Sequence, residues 1–167
     1  MRVNIALLTV TDTRTLKTDK SGKILVEKIS KAKHNLVDRK ICIDSKKEIK
    51  KIFKDCIKKK NIDVIITTGG TGLTGRDITP EALDDIADKH IPGFGEVFRT
   101  VSLQTVGTSS IQSRACAILA NGKYIFALPG SSGGVTDAWD EILVHQLDIN
   151  HKPCNFVELF PRLKEKY

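Results

Sequence analysis

Two rhythms of apolar and polar positions alternate along the chain, one with the period of strands and one with the period of helices. Val3–Val10 is a mostly apolar run of the kind that lies buried inside a sheet. From about Lys20 to Lys33, Ile24, Leu25, Ile29 and Ala32 recur at helical spacing. Asn35–Ile43 alternates weakly and ends in Ile41-Cys42-Ile43, a second strand. The clearest helix follows: Ile49, Ile52, Phe53, Cys56 and Ile57 share one face and lysines take the other. Ser45, with Glu48 three residues on, predicts a capping box at its start.

Val64–Thr68 is a short third strand that opens directly into Gly69-Gly70-Thr71-Gly72. Thr79-Pro80-Glu81 predicts another helix, with Thr79 as its cap and Pro80 at the first helical position. Pro92-Gly93 is expected to break that helix, and Phe94–Val106 to form the next. Ala115–Ala120 and Lys123–Leu128 flank Asn121-Gly122, a strong hairpin signal. Pro129–Gly134 reads as a loop, Val135–Leu147 as a helix, and the last twenty residues as a polar, partly apolar tail. Strands separated by helices predict a single α/β domain, its mostly parallel sheet made mixed by the hairpin and covered on both faces.

Composition narrows the class without naming a function. Forty per cent apolar and 28% charged residues over 167 positions suit one globular domain with a sizeable core. No apolar run approaches the roughly 20 residues of a membrane span, so no membrane partner is expected. The first eight residues read as a strand rather than a signal peptide. Cys42, Cys56, Cys116 and Cys154 are scattered, with neither disulfide nor zinc spacing, which points to a reducing cytoplasm. The net charge of +7 is concentrated in the lysines of the 45–60 helix. With aromatics at 5% and no interleaved stacking pattern, that charge reads as a solvated face, and no nucleic-acid partner is expected.

In open α/β sheets ligands bind outside the carboxyl ends of the strands, where the loops Thr9–Arg14, Thr67–Asp77 and Pro129–Gly134 can converge. The stretch from Gly69 to Asp77 has four glycines and two threonines, which lets the backbone turn several N–H groups onto one anion. Gly70 and Gly75 have Walker A separation, but Arg76 and Asp77 stand where its lysine and hydroxyl belong. Asp77 and Asp44, each following a strand, would repel one another beside a phosphate unless a divalent cation lay between them. Asp44 also stands where a cap for the next helix is expected, and Asp12 where a turn is. Arg14, Arg76, Arg99 and Arg114 are candidates for clamping phosphate oxygens. No histidine accompanies a nucleophile, and Ser131-Ser132 form no nucleophile elbow, so acyl transfer is disfavoured.

Five ordered motifs carry a resemblance. Thr67-Thr68-Gly69-Gly70-Thr71-Gly72, Arg76-Asp77-Ile78-Thr79-Pro80-Glu81-Ala82, Pro92-Gly93-Phe94-Gly95-Glu96 with Arg99, Gln112-Ser113-Arg114 and Leu128-Pro129-Gly130-Ser131 together resemble the molybdopterin-binding family. That family has an adenylyltransferase branch and a B branch; Thr9–Arg14 and Lys152–Phe156 look more like the B branch. The resemblance implies a three-layer α/β/α sandwich, a homo-oligomer built on trimers (a hexamer in the B branch), and molybdopterin as ligand. It also implies other enzymes of the same pathway as partners. Catalytic members use ATP and Mg2+ to adenylylate the terminal phosphate of molybdopterin. Carried onto this chain, Asp77 and Asp44 would organise Mg2+ and the reacting phosphates. Gly69, Gly70, Thr71 and Gly72 would hold phosphate, and Ser113 and Arg114 would touch the pterin end. Thr11, Asp12, Gly130 and Ser131 would help form the pocket, with Glu81 a matched position of undivided role. After Pro129-Gly130, Ser131-Ser132-Gly133-Gly134 replaces the Gln-Pro more common in adenylyltransferases. Two functions therefore compete, a molybdopterin adenylyltransferase and a non-catalytic pterin-binding or assembly protein, with a basic nucleic-acid-binding module a distant third.

Overall fold

Alternate residues of the first strand serve opposite sides of the sheet, and this sets the layering. The structure, a computed structural model, describes residues 1–165. In β1 (Asn4–Val10), Ile5 and Leu7 join one apolar cluster, while Ala6, Leu8 and Val10 join another. β2 (Asn35–Cys42), β3 (Val64–Thr68), β4 (Lys89–His90), β5 (Cys116–Ala120) and β6 (Lys123–Leu128) complete a six-stranded sheet in the order β2-β1-β3-β6-β5-β4. The first four strands of that order run parallel, and β5 is antiparallel to both its neighbours. Helices cover both faces, so the fold is the expected three-layer α/β/α sandwich with a mixed sheet.

On one face lie α1 (Lys20–Lys31), α4 (Pro92–Val106) and the helix of residues 132–146. That last helix runs as α5 (Ser132–Ala138), a π-helical turn (Trp139–Leu143) and α6 (Val144–Gln146). On the other face lie α2 (Lys46–Lys58) and α3 (Thr79–Asp84). Ile49 and Phe53 of α2 are fully buried, which contributes about 3–6 kcal/mol together and fixes the helix against the sheet. Asn121 and Gly122 turn the β5–β6 hairpin with φ of 48° and 72°, as a primed turn requires. No helix among the described residues is long and apolar enough to cross a membrane.

Several local expectations yield to tertiary packing. Ser45 is the N-cap of α2, but its side chain makes no capping hydrogen bond. Thr79 lies inside α3, not at its cap, because its hydroxyl is drawn to the carbonyl of Gly69. α3 ends at Asp84, well short of Pro92, since Lys89–His90 leave to pair with β5. Pro92 begins α4 instead of ending a helix, a position where its missing N–H costs nothing. Ser132–Gly134 are helical, with the Ser131 hydroxyl accepting from the Gly134 amide as cap. The final segment is not a loose tail. Phe156 and Phe160 pack on Tyr124, with ring centroids 4.7 and 5.7 Å away, and Val157 is buried. The last two positions of that segment, Lys166 and Tyr167, lie outside the described residues.

Candidate functional site

β2 lies on one side of β1 and β3 on the other, so the connections after β1 and after β3 run in opposite directions and leave a crevice at the carboxyl ends of these two strands. A cleft of about 670 Å3 occupies that crevice, within the range of small-molecule sites. The β1 exit contributes Thr11 and Asp12, and the connection from β2 to α2 contributes Asp44. The β3 exit contributes Gly69, Gly70, Thr71, Gly72 and Asp77. Ser113 precedes β5, and Gly130 and Ser131 follow β6; all three also face the cleft. Three loops distant in sequence thus meet, and Thr68 ties two of them by donating to the Pro129 carbonyl at 2.7 Å.

The shape of the glycine loop has a specific cause. Gly69 has φ of +102°, and a Cβ there would lie 2.2 Å from the carbonyl oxygen of Val10. Only glycine lets β3 leave so close to the end of β1. Beyond it, the carbonyls are pinned one after another. The Thr79 hydroxyl donates to Gly69 (2.9 Å) and the Thr79 amide to Gly70 (3.0 Å). The Arg114 amide donates to Thr71 (2.9 Å) and its Nε to Gly72 (2.7 Å). With the carbonyls held away, the amides of Gly70 and Thr71 donate to no acceptor among the described residues, in a segment that lines the cleft. Paired free amides of this kind suit an anion.

Arg114 and Glu81 do not line the cleft. Arg114 also donates to the Asp77 carbonyl and pairs with the Glu81 carboxylate, and this pairing holds Glu81 below the usual carboxylate range. The two residues form a brace behind the loop.

Three carboxylates face the cleft. Asp12 accepts from the Asp44 amide at 3.1 Å and pairs with the Arg76 guanidinium. Burial pushes the Asp44 carboxyl upward, and the neighbouring charge of Asp12 adds to that. Burial acts the same way on Asp77, but the hydroxyl (2.6 Å) and amide (2.9 Å) of Thr74 donate to it and win, so its carboxyl is lowered. Asp77 therefore sits against the glycine loop: a Cβ on Gly72 would lie 2.7 Å from its Oδ2. Among the described residues no group of three His, Cys, Asp or Glu side chains is arranged to hold a metal ion by itself.

Sequence reasoning missed Asp19, which is fully buried behind the cleft residues Thr9 and Ser21. It accepts from the Thr9 hydroxyl (2.7 Å), the Ser21 hydroxyl (3.2 Å) and the Gly22 amide (2.8 Å), and pairs with Arg39 at 3.2 Å. The available signal was Asp19 immediately before a helical run, the position of an N-cap.

Residues 6–149 match the family described as "Probable molybdopterin binding domain". The chain is 42% identical over 161 residues to molybdenum cofactor biosynthesis protein B of Escherichia coli (strain K12), covering 96% of this chain and 93% of that one. A crystal structure of a molybdenum cofactor biosynthesis protein B has a TM-score of 0.86 and 40% identity, covering 88% of this chain and 92% of its own. The tungsten cofactor synthesizing protein MoaB from Pyrococcus furiosus has a TM-score of 0.76 and 36% identity, covering 85% and 91%.

Proposed function

The chain belongs to the molybdopterin-binding domain family, and from that premise we propose that it acts in molybdenum cofactor biosynthesis, binding molybdopterin in the cleft and adenylylating it. One observation carries this reading: Gly70 and Thr71, whose amides have no acceptor among the described residues, line the same cleft as Asp44 and Asp77. The Gly70 and Thr71 amides would receive a phosphate, and Ser113, Gly130 and Ser131 would line the space beside it. A terminal phosphate oxygen of molybdopterin would attack the α-phosphorus of ATP; the bond to the bridging oxygen breaks, and pyrophosphate leaves.

The donors fit Mg2+. They are oxygens only, and burial together with neighbouring negative charge raises Asp44, a cost that a cation would relieve. Mg2+ is commonly held by one or two carboxylates plus substrate phosphates, so a pair of aspartates suffices. Asp44 and Asp77 would hold it, and its charge would stabilise the reacting phosphates. Donation from Thr74 outweighs burial and lowers the Asp77 carboxyl, favouring the ionised form that a cation would need.

A second reading, pterin binding without catalysis, draws support from Ser131. Its hydroxyl is committed to the Gly134 amide at the point where adenylyltransferases more often carry Gln-Pro. The family resemblance implies a homo-oligomer, and Val97, Val106 and Ile111 are apolar residues each half or more exposed.

Purified protein with molybdopterin, ATP and Mg2+ should release pyrophosphate, and Asp77→Ala should abolish the release. Molybdopterin binding without any release would leave the second reading standing and remove the first. Absence of both binding and release would remove both.

A further inference from the structure

Arg76 and Asp12 stand 64 positions apart in sequence, yet their side chains pair across the mouth of the cleft, joining the β3 exit to the β1 exit. The two partners differ in how firmly they are placed. Asp12 has a second anchor, the Asp44 amide at 3.1 Å, and its side chain is 29% exposed. The Arg76 side chain is 71% exposed and has Asp12 as its one hydrogen-bond partner among the described residues. An ion pair so exposed is weak, so the guanidinium leaves it at little cost. Arg114 is not free to serve the cleft, because its guanidinium is already committed to Gly72, Asp77 and Glu81. Arg14 faces the cleft too, and no carboxylate among the described residues pairs with it.

We infer that Arg76 is an anion-positioning residue for which Asp12 and the ligand's phosphate compete: phosphate draws the guanidinium off Asp12, which stays in place on the Asp44 amide. This rests on the reading that the cleft holds phosphate. It makes Asp12 a brake on anion binding, although the residue lines the binding cleft.

The test is a double-mutant cycle read by calorimetric titration of pyrophosphate with Mg2+ into the intact protein. Asp12→Asn should tighten binding about three- to fivefold, the worth of one exposed ion pair. Arg76→Ala should weaken it about tenfold, and Arg76→Lys less, since lysine keeps the charge without the two-pronged geometry. The decisive quantity is the effect of Asp12→Asn in the Arg76→Ala background, which should vanish. In an Arg14→Ala background it should persist in full. Equal tightening with and without Arg76 would mean that Asp12 acts only by its charge, and would overturn the inference while leaving phosphate binding intact. Weaker or unchanged binding in Asp12→Asn would overturn it as well. If the wild-type protein bound no pyrophosphate, the phosphate reading would fall and this inference with it. Both positions are at the surface, and matching thermal midpoints across the set would show that folding is not what changes.

Discussion

Replacing Arg114 with alanine removes the brace behind the glycine loop, and the size of the effect follows from the bonds that the side chain makes. It donates to the carbonyls of Gly72 (2.7 Å) and Asp77 and pairs with Glu81. The ion pair contributes little, since the two side chains are 31% and 42% exposed. The two charge-assisted bonds to carbonyls are worth about 1.5 kcal/mol each at the low end of their range, because water can partly replace them. A loss of about 2–3 kcal/mol follows, which for a domain of this size lowers the thermal midpoint by about 4–12 °C. Anion affinity should fall in the same variant. Freeing even one loop residue to wander adds about 1–2 kcal/mol of ordering cost to binding, roughly a tenfold loss. Thermal or urea unfolding and pyrophosphate titration on one preparation measure both quantities. A variant that loses binding yet keeps the wild-type unfolding midpoint would refute the brace. It would show instead that the guanidinium touches the ligand, as the family resemblance implies.

Two further predictions concern groups outside the reacting centre. Burial tends to raise the Asp19 carboxyl, but donation from Gly22, Thr9, Arg39 and Ser21 prevails and lowers it below its ordinary 3.8. The unfolded chain therefore takes up this proton at higher pH than the folded one, so the stabilisation is complete above pH 3.8 and is lost as acid reaches the folded value. Asp19→Asn should cost about 3 kcal/mol at pH 7 and flatten the acid limb of a stability–pH curve; an unchanged limb would refute the assignment. Burial, reinforced by nearby carboxylates, pushes the Cys42 and Cys116 thiols up to about 11, and Cys56 is also buried and raised. Cys154 is exposed, so a disulfide-exchange reagent at pH 8 should titrate one thiol rapidly in the native protein and all four after unfolding.

Much of this protein is decided within short stretches of its sequence. The opposed apolar and lysine faces of α2, the all-apolar start of β3, and Asn121-Gly122 each follow from steric preference or periodicity inside a dozen residues. From those alone came the α/β class, the hairpin and the strand that opens into the glycine loop. The tertiary structure decided which partner each polar group finds. Thr79 has the composition of a cap, but the Gly69 carbonyl lies closer to hand once β3 and α3 have packed. Arg114 reads as a ligand clamp until the fold brings Gly72, Asp77 and Glu81 around it. Phe156 and Phe160 read as part of a tail until Tyr124 offers them an apolar surface. Periodicity and turn chemistry act through neighbouring residues, whereas hydrogen bonds and ion pairs form with whatever the packed sheet brings near. The loop proposed to receive an anion was therefore legible in the sequence, while the residues that brace it became visible only in three dimensions.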